Sequence, residues 1–184
     1  MTDKFDFNDG NGLVFAHKHA HGGGWVADTA DVEDSAHVFP DAMVYSHAWI
    51  YGNARIHGDA KVFGFAKVSG NALILGDAKI SGNAEIFENA SVFGDAEVYG
   101  YAKVFRDAEV DGYVRVYGDA RVYGRARISG NARISENARI SGNALIGDDA
   151  WIYGDAEVYG KAEIFGTARI FGTAEISSGR IKCI

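Results

Sequence analysis

Alanine stands at every sixth position from Ala30 to Ala174, broken only by Val114, and two residues after each comes Val or Ile, from Val32 to Ile176. Val26 begins the second series. A helical period of 3.6 cannot hold this pattern. A short strand followed by a corner can, because residues two apart in a strand point to the same side. The repeat Ala-x-Val/Ile-x-Gly-Asn/Asp runs through residues 25–178 without insertion or deletion. It predicts a parallel β-solenoid whose narrow interior is lined by Ala and Val/Ile. The corner is Gly at 17 of 21 sites between positions 52 and 172, which makes Glu88, Arg106, Glu136 and Asp148 the exceptions to explain. Asn or Asp mostly follows, and these residues tolerate left-handed backbone and bond their own turn.

Residues outside the repeat divide into two segments. Residues 1–24 are aperiodic, with turn signals at Asn8-Asp9-Gly10-Asn11-Gly12 and Gly22-Gly23-Gly24, and read as a cap on the rod. Residues 179–184 lose the register and read as a C-terminal tail. The 184-residue chain is 47% hydrophobic, enough for one domain, and 24 Gly against 1 Pro suits repeated tight turns better than disorder. A net charge of -7 argues against nucleic acid as a partner. The single cysteine, Cys183, fits a reducing compartment. With no long apolar run and no cationic-then-apolar leader, the expectation is a soluble, cytoplasmic protein with no membrane partner.

On these residues the chain resembles the hexapeptide-repeat family, and Ile146-Gly147-Asp148-Asp149-Ala150-Trp151 is the stretch nearest that family's motif. The resemblance implies an all-β fold: a single left-handed parallel β-helix, a three-sided prism with 18 residues per coil and about eight coils. At about 4.8 Å between strands such a rod is roughly 40 Å long. Handedness, and assembly into a homotrimer, come from the resemblance and not from the spacing. The opening segment around Phe7-Asn8-Asp9-Gly10-Asn11-Gly12 is also similar to phage and enterobacterial repeat proteins loosely labelled hexapeptide transferases.

Stacking residues 18 apart gives the expected faces. One carries Tyr45, Phe63, Tyr99, Tyr117, Tyr153 and Phe171 beside a mostly basic column, and a second carries Tyr51, Phe87, Phe105, Tyr123 and Tyr159 beside Lys67, Lys103, Arg121 and Arg139. The third, read as poorest in charge, carries Phe39, Leu73, Leu75, Phe93, Leu145 and Phe165, which mark it as a subunit interface. Arg115, Arg121, Arg127, Arg133 and Arg139 occupy one repeat position in five successive hexads. They are candidates for binding an anionic small molecule in clefts between subunits. The alternative is a solvated band balanced by Glu109, Glu157 and Glu163.

His17, His19 and His21 alternate, as a metal-binding strand would, but the coil histidines are only His37, His47 and His57 and give no closely spaced pair, so no physiological metal is expected. The resemblance also implies acyl transfer. That reading would use acetyl-CoA, with His37 or His57 as base in a groove between subunits, yet no coil throws out a loop to cover a thioester cofactor and little chain follows the prism. Flat Thr-x-Thr arrays, the mark of ice binding in such prisms, are missing. The sequence therefore favours a non-catalytic binding or scaffold protein without a cofactor. It would be a rigid homo-oligomeric prism presenting aromatic and Arg ladders to a host protein, or sequestering an anionic ligand, and encoded by a phage as the resemblance of its opening segment implies.

Overall fold

The computed structural model describes residues 3–183. Each hexad contributes a strand of two residues, such as Lys67–Val68 or Leu73–Ile74, and then a corner. Every such strand pairs in parallel with the strand 18 residues on: Lys67 with Glu85, Val68 with Ile86, Leu73 with Ser91. Three successive hexads therefore make one coil, and the strands assemble into three sheets of 11, 9 and 9 strands with no helix among the described residues. The result is a three-sided parallel β-helix of about nine turns.

Backbone hydrogen bonds run along the rod axis at three points in each hexad. Asn71 N–H donates to the Glu88 carbonyl at 2.7 Å, Leu73 N–H to Ala90 at 2.9 Å and Leu75 N–H to Val92 at 2.9 Å. All three donors belong to outward-facing residues. The inward residues are apolar, and from Ala36 to Ile164 the Ala and Val/Ile columns are essentially inaccessible to water. Three Ala and three Val or Ile fill each coil, so each interior layer has a fixed volume.

The corner glycines all take left-handed backbone, with φ between 65° and 82° from Gly52 to Gly172. From Gly52 to Gly166 they also have little room for a side chain: at Gly142 a Cβ would lie 2.6 Å from the Gly160 nitrogen. The four exceptions keep the same backbone, with φ from 55° to 62°. Two of them gain a bond in return. Glu136 accepts from Gly154 N–H and Asp148 from Gly166 N–H, each at 2.9 Å, so the acid caps the corner of the next coil.

Both ends depart from the repeat in ways the sequence does not announce. At the start, β1 (Asp3–Asp6) and β2 (Leu13–Lys18) form an antiparallel hairpin, and β2 pairs antiparallel with β3 (Trp25–Ala27), the first strand of the first sheet. The hairpin continues that sheet and covers its exposed edge. It also brings a second small core onto the sheet's outer surface: Phe7, 1% exposed, stacks on Tyr45 at 4.9 Å, and Phe5 stacks on Trp25 at 4.3 Å. Tyr45, expected as the first outward rung of its face, is therefore buried. At the far end the expected tail is a strand, Arg180–Cys183, paired in parallel with Glu163–Gly166. Glu163 lies opposite Arg180, 17 residues on instead of 18, so a one-residue deletion is absorbed and Ile181 still meets Ile164. This added strand brings the coil count nearer nine than eight.

Replacing Ala96 by Leu should overpack a closed layer and cost on the order of 1–3 kcal/mol, read as a lower midpoint in thermal or denaturant unfolding. A second expectation concerns Tyr45. Burial, aided by the nearby charge of Asp9, pushes its hydroxyl up to about 12 from an ordinary value of 10.0. Below pH 10 both folded and unfolded chains hold the proton. Between about pH 10 and 12 the unfolded chain releases it while the folded chain keeps it, so stability falls over that window, by on the order of 2 kcal/mol. Tyr45→Phe should lose less stability than the parent between pH 9 and 12.

Candidate functional site

Because the interior is uniform, any site must be built from outward positions. Each hexad offers three: the residue after the core Ala, the residue after the core Val/Ile, and the residue after the corner. The middle position builds the aromatic ladders. In the first sheet Tyr45 and Phe63 stack at 5.0 Å, Tyr99 and Tyr117 at 5.1 Å, and Tyr153 and Phe171 at 5.3 Å. In the second sheet Phe87, Phe105 and Tyr123 form a continuous stack at 4.8 and 5.0 Å. Near-parallel rings at the strand spacing stabilise the pairing of coils and leave only their edges to solvent. Burial raises the pKa of the Tyr99 hydroxyl, and ionisation of neighbouring Tyr117 would raise it further.

The large exposed rings lie mostly elsewhere. Trp49 is 50% exposed, Phe65 60%, Tyr101 61% and Tyr113 66%. Trp49 follows a core Ala, and the other three follow a corner, where the repeat ordinarily has Asn or Asp. Trp49, Phe65 and Tyr101 line one shallow groove with His47, Lys67, Asn83 and Glu85. Sequence reasoning passed over these residues because it weighed columns that persist. The available signal was the opposite: an aromatic residue where the motif asks for Asn or Asp.

The five arginines fall on all three sheets. Arg115 pairs in register with Arg133, and Arg121 with Arg139, while Arg127 lies on the third sheet beside Glu109. Three of them meet carboxylates: Arg115 with Glu97 at 3.3 Å, Arg127 with Glu109 at 3.2 Å and Arg139 with Glu157 at 2.8 Å. Glu163 pairs with Arg180. Arg121 sits between Lys103 and Arg139 in its column, and Arg133 between Arg115 and Trp151. Among the described residues Arg121 and Arg133 have no carboxylate within ion-pair distance. One protomer does not bring all five guanidinium groups to one place, since the belt winds around the prism.

Phe39, Leu73, Leu75, Phe93, Leu145 and Phe165 do share the third sheet, and each is half-buried. That sheet is less poor in charge than expected, because Arg55, Glu109, Arg127, Glu163 and Arg180 stand in its strands and four of them pair as two ion pairs. Its apolar stretches are therefore separate patches.

The histidines regroup. His17 stands apart, its Nδ1 2.9 Å from Asp28 Oδ1. His19 is buried and bonds the backbone of His21, whose ring lies 5.3 Å from that of His37. Phe39 stacks on His57 at 3.4 Å, and the buried Nδ1 of His37 has no hydrogen-bond partner. Among the described residues no carboxylate lies within hydrogen-bond distance of His37 or His57 to orient it as a general base. Among the described residues no group of three or more His, Cys, Asp or Glu is placed to hold a metal ion.

A family model matches one stretch of the repeat. Residues 126–139 and 138–154 fit the YdcK beta solenoid repeat. Among solved structures the chain is similar to the UDP-N-acetylglucosamine acyltransferase of Francisella novicida, at 14% identity and a TM-score of 0.39, over 79% of this chain and 62% of that one. The chain thus spans less than two thirds of that enzyme's length, and a likeness of this size carries no argument about activity. No curated protein matches it.

Proposed function

We propose that this chain is a non-catalytic binding and scaffold protein, a rigid prism that associates with copies of itself and presents outward rings and cations to a protein partner or an anionic small molecule. One observation carries this reading: Trp49, Phe65 and Tyr101 project half-exposed or more around a single groove, on a frame whose coils are locked by repeated backbone bonds. Leaving three large rings in water is unfavourable for an isolated chain, and rigid Trp and Tyr anchors are the side chains that dominate recognition surfaces. A frame that does not move loses little entropy when it binds.

Self-association fits the third sheet, where Leu73, Leu75 and Phe93 form its longest uncharged run. A homotrimer would set three prisms side by side and bring copies of Arg121 and Arg133, which lack carboxylate partners, into clefts suited to carboxylate or phosphate. The acyltransferase alternative would place acetyl-CoA in the same clefts and make His37 or His57 its base.

Sedimentation equilibrium should show a trimer at micromolar concentration, and Leu75→Glu with Phe93→Glu should release monomers. A monomeric parent would remove the assembly and its clefts. In calorimetry against nucleotides and dicarboxylates, Arg121→Ala with Arg133→Ala should abolish anion binding while shifting unfolding by less than about 1 kcal/mol, because exposed guanidinium groups contribute little to stability. A measurable acetyl-CoA transfer rate that His37→Ala or His57→Ala removes would overturn the non-catalytic reading.

A further inference from the structure

The aromatic ladders are interrupted by serine, and always between two aromatic rungs. In the first sheet Ser81 separates Phe63 from Tyr99, and Ser135 separates Tyr117 from Tyr153. In the second, Ser69 separates Tyr51 from Phe87, and Ser141 separates Tyr123 from Tyr159. Adjacent rungs stack at 4.8 to 5.3 Å, so rings flanking a serine stand about 10 Å apart, two strand spacings. Such a gap has the width of one further ring at the ladder's own spacing.

At Ser135 the chain fills the gap itself. The indole of Trp151 leans over from the adjoining column, packs against Tyr153 at 4.7 Å and donates its Nε1–H to the Ser135 hydroxyl at 3.3 Å. Ser135 is left 1% exposed. The residue sixteen after Ser69 is Glu85, which supplies no ring, and its carboxylate is drawn away to Lys103 at 2.7 Å. Lys67, on the other side, extends its ammonium over the Trp49 ring at 5.2 Å. Lys67 and Glu85 lie in register on adjacent coils yet turn apart, and the groove between them is lined by Tyr51, Ser69, Ile86 and Phe87. Ser69 is 7% exposed, and no hydrogen bond to or from its hydroxyl occurs among the described residues.

We infer that the gap at Ser69 is a binding slot for a planar nitrogen heterocycle of the indole type bearing an acidic substituent. The ring would enter between Tyr51 and Phe87 as the missing rung, its N–H donating to the Ser69 hydroxyl as Trp151 does to Ser135. The acidic group would face Lys67, which has no carboxylate partner among the described residues. This deepens the binding reading by naming a ligand class, at a place distant from Arg133 and independent of any subunit cleft.

The probe is indole-3-acetate, titrated by calorimetry and by protein-observed NMR. Saturable one-to-one binding through the millimolar range is expected, with indole and phenylacetate each several-fold weaker because one lacks the carboxylate and the other the N–H. Ser69→Phe inserts the missing rung at a position where the neighbouring coils already carry Tyr51 and Phe87, so it should fold with an unchanged or raised melting temperature and lose binding at least tenfold. Glu85→Trp, which copies the Trp151 arrangement, should do the same. Trp151→Ala should open the Ser135 gap beside Arg133 and raise the stoichiometry to two, whereas the gaps at Ser81 and Ser141 stand beside Lys79 and Arg139, whose charges Glu97 and Glu157 already hold. Equal affinity in the parent and Ser69→Phe, or no saturable binding by the parent, overturns the slot. Ser69→Phe leaves Arg121 and Arg133 untouched, so anion binding there reports separately on the proposed function.

Discussion

The axial backbone ladder governs the rest of this molecule. Most outward residues donate their N–H to a carbonyl 17 residues ahead, so one coil is the template for the next. This repetition demands that every coil have the same length and every interior layer the same volume. Alanine and a β-branched residue meet the second demand, and glycine in left-handed backbone meets the first, since corners stacked at strand spacing leave no space for a Cβ. Where another residue stands at a corner, as at Glu136 and Asp148, its carboxylate recovers part of the cost by bonding the next corner's N–H.

The same constraint explains what the sequence disclosed. Period and interior columns follow from repetition, and repetition is visible in the letters, whereas three-sidedness and the pairing of residues 18 apart were implied by the resemblance to hexapeptide-repeat proteins. The ends were not legible, because each solves a local problem once. The hairpin of β1 and β2 was marked only by turn residues, and its burial of Tyr45 depends on Phe7 reaching over a sheet surface that the repeat treats as solvent. The slip that sets Glu163 against Arg180 reads in sequence as loss of register, although the strand continues.

The outward columns were legible as lists but not as environments. Tyr99 and Tyr117 were rightly grouped, yet stacking leaves them less available than Phe65 or Tyr101, which belong to no continuous column. The arginine series was equally visible. Which members are neutralised depends on the acid in the adjoining coil: Glu97 for Arg115, Glu109 for Arg127 and Glu157 for Arg139. Arg121 and Arg133 differ from their neighbours only through what stands one coil away.

In a repeat protein, residues that satisfy the repeat serve the frame, so recognition chemistry has to reside in departures from it. A rung identical to the rungs above and below is covered by them and presents only an edge. A departure exposes a face, opens a gap or frees a charge. Phe65, Tyr101 and Tyr113 replace Asn or Asp after a corner and expose whole rings. Serine within an aromatic column removes a ring and leaves two facing surfaces, and Trp151 demonstrates what fits between them. The frame makes such departures inexpensive, because a change at an outward position leaves the axial bonds and the interior layer intact. Chemistry can therefore vary along the prism while the coil does not.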